Sequence, residues 1–125
     1  IQKTCDNGQM VRFDPQQLYQ VTTNLVSNAI HHGKLNNSHT VKIICSEDLI
    51  SQLPYMDIQD GGVGVPPQHQ KHLFEPFYTT EKSGTGLGLY ISRELCEANQ
   101  AHLDYIPLDN GGCFRISFSH PNRLI

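Results

Sequence analysis

Apolar residues recur with helical spacing in two stretches of the chain. The first stretch begins at Asp14-Pro15, where an N-cap residue precedes a proline that suits a first helical position. Gly33 is expected to end this helix. Its buried stripe is predicted to comprise Leu18, Val21, Leu25, Val26, Ala29 and Ile30. The second helix is predicted from the apolar residues Leu87, Ile91, Leu95 and Ala98.

Apolar and polar residues alternate in residues 41–45, 55–58 and 114–118, which predicts strands there. Together with two further short stretches, the expected strands are residues 10–13, 41–45, 55–58, 103–106 and 114–118. The turn sequence Asp109-Asn110-Gly111-Gly112 would join the last two as a hairpin. The resulting order of elements predicts an α+β fold, a two-layer α/β sandwich in which helices cover one face of a mixed, mainly antiparallel sheet.

Composition narrows the class of protein. The 125 residues suit one domain spanning residues 1–125, and the net charge of −3 with scattered basic residues argues against nucleic-acid binding. No apolar run approaches the roughly 18 residues of a membrane-spanning helix. The chain begins with Ile1 and is expected to be a piece of a longer protein, located in the cytoplasm. Four widely spaced cysteines favour reduced thiols over a zinc site.

Two asparagines lie one helical turn apart on the first predicted helix. They are Asn24 and Asn28, and His31 and His32 extend the same polar stripe. An amide oxygen is a hard, neutral ligand that suits Mg²⁺. The alternative is that both amides are solvated surface residues or partners of nearby backbone groups.

An aspartate stands at the end of the third predicted strand, before a glycine-rich turn. Asp60 is followed by Gly61-Gly62-Val63-Gly64-Val65-Pro66. A carboxylate in this place can accept a hydrogen bond from an exocyclic amine, and the glycines let backbone approach a flat ring. The alternative is an ordinary turn closed by an Asx bond.

A second glycine-rich stretch opens the second predicted helix. Its sequence is Ser83-Gly84-Thr85-Gly86-Leu87-Gly88-Leu89, with Lys82 as the neighbouring cation. Unpaired N–H groups and the helix dipole at such a place favour phosphate. The spacing fits neither the P-loop nor the Rossmann fingerprint.

Taken together, four segments resemble the N, G1, F and G2 boxes of the catalytic ATP-binding domain of sensor histidine kinases. That domain belongs to the wider GHKL family with gyrase, Hsp90 and MutL. The segments are N-L-V-S-N-A at 24–29, D-G-G-V-G-V-P at 60–66, L-F-E-P-F at 73–77 and G-T-G-L-G-L at 84–89. The resemblance covers residues 14–118 and implies a Bergerat ATP-binding fold, the cofactors ATP and Mg²⁺, and a mobile lid over about residues 67–85.

The resemblance also implies roles for individual residues. Asn28 would ligate the Mg²⁺ that bridges the ATP phosphates, with Asn24 as its support. His31 stands where relatives carry a phosphate-contacting Lys or Arg, and His32 where an aromatic packs on adenine. Asp60 would accept from the adenine amino group.

The remaining implied roles concern the walls of the site. Phe74 and Phe77 would belong to the lid, and Phe74 would also dock against the phosphoacceptor domain. The adenine pocket would be shaped by Gly62, Gly64 and Val65. The triphosphate would be enclosed by Lys82, Ser83, Gly84, Thr85, Gly86, Leu87, Gly88 and Leu89.

The implied activity is that of a protein histidine kinase in a two-component system. The domain would donate the γ-phosphoryl group to a histidine on an adjoining phosphoacceptor domain, in cis or trans, from which it passes to a response regulator. It would contact neither nucleic acid nor the membrane. Asn24 stands where the hydrolases of this family carry a water-activating Glu, which predicts slow hydrolysis.

Two other functions remain open for this domain, and one segment resembles a particular group of sensor kinases. Gly61 and Val63 stand where relatives carry Asn and Pro in the G1 box, which would suit a degenerate nucleotide-binding module without transferase activity. A GHKL ATPase is the third candidate. Residues 92–118 resemble the PilS-like group of sensor kinases that regulate type IV pilus genes.

Overall fold

The computed structural model describes residues 2–5, 10–35, 40–78 and 87–119, with side chains over 10–33, 40–78 and 87–119. Within these ranges, the order of strand, helix, two strands, helix and two strands agrees with the sequence prediction, and a short helix, α2, is added in the stretch that the sequence predicts to be irregular. The elements are β1 (Gln2–Cys5), α1 (Pro15–Leu35), β2 (Val41–Glu47), β3 (Pro54–Asp60), α2 (Pro67–Gln70), α3 (Gly88–Ala98), β4 (His102–Leu108) and β5 (Gly111–Ser117).

The five strands form one sheet in the order β1-β2-β3-β5-β4. β1 pairs with β2 in parallel, and the other three pairings are antiparallel. β4 and β5 form the predicted hairpin around Asp109 and Asn110. The α+β prediction with a mixed, mainly antiparallel sheet is therefore confirmed.

One face of the sheet packs against α1 and α3 and holds the apolar core. The core side chains of the sheet on that face include Val41, Ile58, Leu103, Phe114 and Ile116. The opposite face carries polar groups, among them Asp57, whose carboxylate accepts two hydrogen bonds from Arg115 at 2.7 and 2.9 Å. The layers of the predicted sandwich are thus one of helices and one of sheet.

The predicted first strand, residues 10–13, is wrong. This stretch has no strand conformation, and the first strand is β1 instead. Its apolar residues Val11 and Phe13 instead pack against the core just before α1 begins. The Phe13 ring meets the Phe118 ring edge-on, with centroids 5.9 Å apart.

Helix α1 begins where its local sequence predicts. The Asp14 Oδ1 atom accepts a hydrogen bond from the Gln17 N–H at 2.9 Å, which satisfies one of the open donors of the first turn. The predicted stripe is buried at Val21, Leu25 and Ala29, although Ile30 is 38% exposed. The helix passes Gly33 and ends at Leu35.

Helix α3 is rotated relative to the predicted stripe. Its buried residues are Ser92 and Cys96, while Ala98 is exposed. Leu89 and Leu95 pack against the edge of the core. Small side chains at Ser92 and Cys96 let α3 lie close to α1, so the helix buries a narrow face that apolar spacing alone does not reveal.

Among the cysteines whose side chains the structure describes, Cys45 departs from the prediction of reduced thiols. Cys45 is disulfide-bonded in the structure. Cys96 and Cys113 are free and buried, and burial raises the pKa of each thiol to about 12. Among the described residues, no helix combines the length and apolar character that crossing a membrane requires.

Candidate functional site

Helices α1 and α3 are fastened together at one end by the side chain of Asn99, which follows α3. The Asn99 Oδ1 atom accepts the Asp14 N–H at 2.9 Å, and its Nδ2 donates to the Gln17 Oε1 at 2.8 Å. The end of α3 therefore lies beside the start of α1, and the two helices run antiparallel.

A second contact fixes how the helices are aligned. The Asn24 Nδ2 atom donates to the buried Ser92 Oγ at 3.3 Å. The same number of residues separates this contact from the Gln17–Asn99 contact on either helix. Continued by one more turn, this alignment places Asn28 level with Gly88, at the N-terminus of α3.

Asn28 and the start of α3 together offer groups for an anion and its cation. The Asn28 amide makes no hydrogen bond to any described residue and is half-buried. The N-cap residue of α3, Leu87, has no side-chain oxygen to satisfy the first N–H groups. A carbonyl oxygen beside a positively polarised helix end suits a metal-bound phosphate.

His31 and His32 lie beyond Asn28 at the same end of α1. His31 is exposed and His32 half-buried, and their rings stand nearly perpendicular with centroids 6.2 Å apart. Both histidines therefore lie at the end of α1 that is near the start of α3. Their roles stay predictions.

Asp60 lies at the end of β3 on the same side of the sheet as α1. It pairs directly with Val41, and side chains of directly opposed residues share a face. Because Val41 belongs to the core under the helices, the Asp60 carboxylate also points to that side.

The two oxygens of Asp60 are used differently. Oδ1 accepts the Gly62 N–H at 2.9 Å, which is the Asx bond expected of a glycine-rich turn. Oδ2 has no hydrogen-bond partner among the described residues. The alternative of an Asx turn is thus present, and it leaves one carboxylate oxygen able to accept from an amine.

The turn after Asp60 is packed tightly against the β4–β5 hairpin. The Val65 N–H donates to the Tyr105 hydroxyl oxygen at 2.8 Å, and the Gln70 Nε2 donates to the Val65 carbonyl at 2.9 Å. Gly64 has a positive φ of 80°, and a Cβ there would lie 2.9 Å from the Gly111 carbonyl oxygen.

Tyr105 is a residue of this site that sequence reasoning missed. Its ring packs edge-on against Phe114, with centroids 5.2 Å apart. Burial raises the pKa of its hydroxyl, the Val65 hydrogen bond lowers it, and the Asp60 charge raises it further. The available signal was the pair Gly111-Gly112, because a hairpin turn explains one glycine and leaves the second without a reason.

The 60–65 turn is followed by α2 and then by a series of turns that contains the F-box segment, residues 73–77. Phe74 is held inward, with its ring edge-on to Phe114 at 6.1 Å and the Arg93 guanidinium carbon 4.9 Å from its centroid. Phe77 is 74% exposed and has a φ of 65°. The predicted docking of Phe74 on a phosphoacceptor domain stays a prediction, and in this structure Phe77 is the more accessible ring.

Part of the predicted phosphate loop is described and part is not. Leu87 is half-buried, Gly88 begins α3, and Leu89 packs against the core. Residues 79–85 of the predicted lid lie outside the described residues. The same holds for the predicted phosphate contacts Lys82, Ser83, Gly84, Thr85 and Gly86.

Comparison with known proteins gives a consistent result. The family described as "Histidine kinase-, DNA gyrase B-, and HSP90-like ATPase" matches residues 13–123. The sensor protein kinase PilS of Pseudomonas aeruginosa is 50% identical over 115 residues, which cover 90% of this chain and 22% of the relative. Sporulation kinase A of Bacillus subtilis is 38% identical over 107 residues, or 84% of this chain and 17% of the relative.

Solved structures agree with these relatives. The nucleotide-free catalytic domain of the histidine kinase ThkA matches with a TM-score of 0.73 and 30% identity, covering 93% of this chain and 75% of that one. The histidine kinase AdeS of Acinetobacter baumannii matches with a TM-score of 0.72 and 26% identity, covering 98% and 55%. The resemblance to histidine kinase catalytic domains, and to PilS in particular, is confirmed. The chain spans about a fifth of the length of the curated relatives that it matches.

Proposed function

The chain belongs to the family of histidine kinase-, DNA gyrase B-, and HSP90-like ATPases, and on that premise we propose that it binds ATP with Mg²⁺ and donates the γ-phosphoryl group to a histidine. That histidine would lie on an adjoining phosphoacceptor domain of the same kinase, in cis or trans. A response regulator would then receive the phosphoryl group. The similarity to sensor kinases such as PilS supports these partners.

The observation that carries this proposal is the placement of Asn28 and Asp60 on the helix-covered side of the sheet. Asn28 comes level with the N-terminus of α3, and Asp60 keeps one carboxylate oxygen without a described partner. We expect the Asp60 Oδ2 atom to accept a hydrogen bond from the adenine amino group. Asn28 would ligate Mg²⁺, which when bound neutralises charge on the phosphates.

The chain's own residues favour transfer over hydrolysis. Asn24 cannot take a proton from water at neutral pH, and its amide nitrogen is already engaged by the buried Ser92. We therefore propose that Asn24 holds α1 against α3, one helical turn before the metal ligand Asn28. Positioning and electrostatics can still drive transfer to a better nucleophile than water.

The finer parts of the proposal concern the whole protein. We infer that the domain works in the cytoplasm. We also infer that the kinase belongs to the PilS-like group that regulates type IV pilus genes, which residues 92–118 resemble, and the 50% identity to a sensor protein kinase PilS supports this group. Deletion of the gene should then change transcription of pilin genes in its host. Unaltered transcription would remove the pilus assignment while leaving the kinase proposal intact.

The central experiment mixes this domain with the purified phosphoacceptor domain of its kinase and labelled ATP. We expect labelled phosphohistidine, with Asn28→Ala reducing transfer by about tenfold or more through loss of a metal ligand. Gln20→Ala is the matched control, because Gln20 is an exposed amide on the same helix. Transfer that persists unchanged in Asn28→Ala would contradict the metal role.

Asp60→Asn tests the adenine contact separately. The variant can still accept the Gly62 N–H through its amide oxygen, so stability should change little. It should bind ATP about tenfold or more weakly, since a hydrogen bond to a charged group contributes about 1.5–3 kcal/mol. Asp104→Asn, at an exposed position of β4, is the control. Nucleotide binding without any transfer would instead favour the degenerate module.

A further inference from the structure

Both backbone polar groups of Val65, its N–H and its carbonyl, are held by side chains of other residues. Its N–H donates to the Tyr105 hydroxyl at 2.8 Å, and its carbonyl accepts from Gln70 at 2.9 Å. Tyr105 comes from β4, forty residues further along the chain. A turn rich in glycine has little conformational preference of its own, so these contacts determine where residues 60–65 lie.

The structure leaves room for the Tyr105 phenol by omitting side chains around it. A Cβ at Gly112 would lie 2.4 Å from the Tyr105 hydroxyl oxygen and 2.7 Å from its Cε1 atom. A Cβ at Gly64 would lie 3.3 Å from the same hydroxyl. Two glycines on different elements therefore leave the space that the Tyr105 hydroxyl occupies. The ring of Tyr105 is also fixed by its contact with Phe114.

The glycine next to Gly112 also connects this region to Asp60. Gly111 approaches the Asp60 backbone so closely that a Cβ there would lie 2.3 Å from its carbonyl oxygen and 3.2 Å from Oδ1. The Asp60 end of the turn is thus anchored on β5, and the Val65 end is anchored on Tyr105. The carboxylate and the phenol belong to one packed unit.

We propose that Tyr105 is a positioning residue for base recognition: its hydroxyl holds the 60–65 turn so that the Asp60 Oδ2 atom faces the nucleobase. This inference rests on the proposed function, because it takes Asp60 as the acceptor for an adenine amine. Guanine carries a carbonyl oxygen where adenine carries that amine. A displaced Asp60 should therefore lose discrimination between the two bases as well as affinity.

Tyr105→Phe tests the inference with little disturbance of the fold. The variant keeps the ring on Phe114 and removes only the hydroxyl. We expect ATP to bind about three- to tenfold more weakly, the range expected for one neutral hydrogen bond. The preference for ATP over GTP, measured by calorimetry with both nucleotides, should fall by a similar factor. Hydrogen exchange of the Val65 amide should become faster.

Tyr19→Phe is the matched control, since Tyr19 is 75% exposed on α1 and should leave all three measurements unchanged. Equal weakening of ATP and GTP would show a merely structural role and overturn the inference. An unchanged preference with a slowly exchanging Val65 amide would overturn it as well. A wild-type domain that binds neither nucleotide would reject the proposed function, and this inference with it, whatever the variant does.

Discussion

Glycines stand at both ends of the candidate site, but the physical reasons for a glycine differ between the two ends. Around the 60–65 turn, Gly64 and Gly111 have positive φ angles of 80° and 123°, and added Cβ atoms would overlap backbone. At the start of α3, a Cβ on Gly88 would meet nothing within 4 Å among the described residues. The first group is required by the protein itself. Nothing in the described fold requires Gly88.

This difference separates the site into a packed end and an open end. The packed end holds Asp60 through contacts that exist without a ligand. The open end combines Gly88 with the Asn28 amide, which has no hydrogen-bond partner among the described residues, and we infer that the phosphates supply the missing close contact there. Substitution of a glycine should therefore destabilise the fold at the packed end and weaken ligand binding at the open end.

The largest expected effect is that of Gly111→Ala at the packed end. A side chain at φ 123° is strained, and its Cβ would lie 2.3 Å from the Asp60 carbonyl oxygen. Strain and overpacking together should lower the free energy of unfolding by about 3 kcal/mol or more. Urea denaturation measures this loss, with Gly88→Ala as the matched control. Equal stability of the two variants would remove the distinction between the ends.

A change of pH should act on the core of the fold rather than on either end of the site, because the core holds two buried thiols, Cys96 near the C-terminal end of α3 and Cys113 on β5. Burial raises the pKa of Cys96 and of Cys113 from the usual 9.0 to about 12. Below pH 9 both folded and unfolded chains hold these protons, so the stability contributed by the neutral thiols is fully present. Between pH 9 and 12 only the unfolded chain releases them, and the free energy of unfolding should fall.

The slope should reach about 1.4 kcal/mol per pH unit for each thiol. Urea unfolding at several pH values from 8 to 11 measures it. Cys96→Ala should remove about half of the slope and leave the part due to Cys113. A stability that does not change across this range would show that the thiols ionise as freely in the folded chain as in water.

The smallest expected effect on stability, and a clear one on binding, is that of Gly88→Ala. Alanine is the better helix former by up to about 1 kcal/mol, so the free energy of unfolding should stay constant or rise. ATP affinity should fall by about tenfold if backbone at this helix start approaches the phosphates. Adenosine, which lacks phosphates, should bind the variant and the wild type equally. Undiminished ATP affinity would contradict the open-end assignment.

Local chemistry explains which elements the sequence could predict. Asp14 and Pro15 specify the start of α1 through a capping bond and a fixed φ, and neither depends on the rest of the chain. Strands with period-two alternation can likewise be predicted from the local sequence. β1 was missed because its four residues depend on pairing with β2, a partner far along the chain.

The site shows the same limit. Motif spacing identified Asn28 and Asp60 as candidates, and the structure places both on the helix side of the sheet. It could not reveal that Ser92 faces α1, because small polar residues are not counted in an apolar stripe. For Tyr105 the sequence offered only the unexplained second glycine of the hairpin turn, because the hydrogen bond of this tyrosine joins residues that no local pattern connects.

The clasp made by Asn99 limits how the two helices beside the site can move. It ties the beginning of α1 to the finish of α3, so these ends cannot part without breaking its bonds to Asp14 and Gln17. A ligand that enters between the helices can spread them only at the far end, where Asn28 and Gly88 lie. The two helices would then separate in a hinge motion about the Asn99 contacts. Asn99→Ala would remove this hinge, so that the helices could separate at both ends.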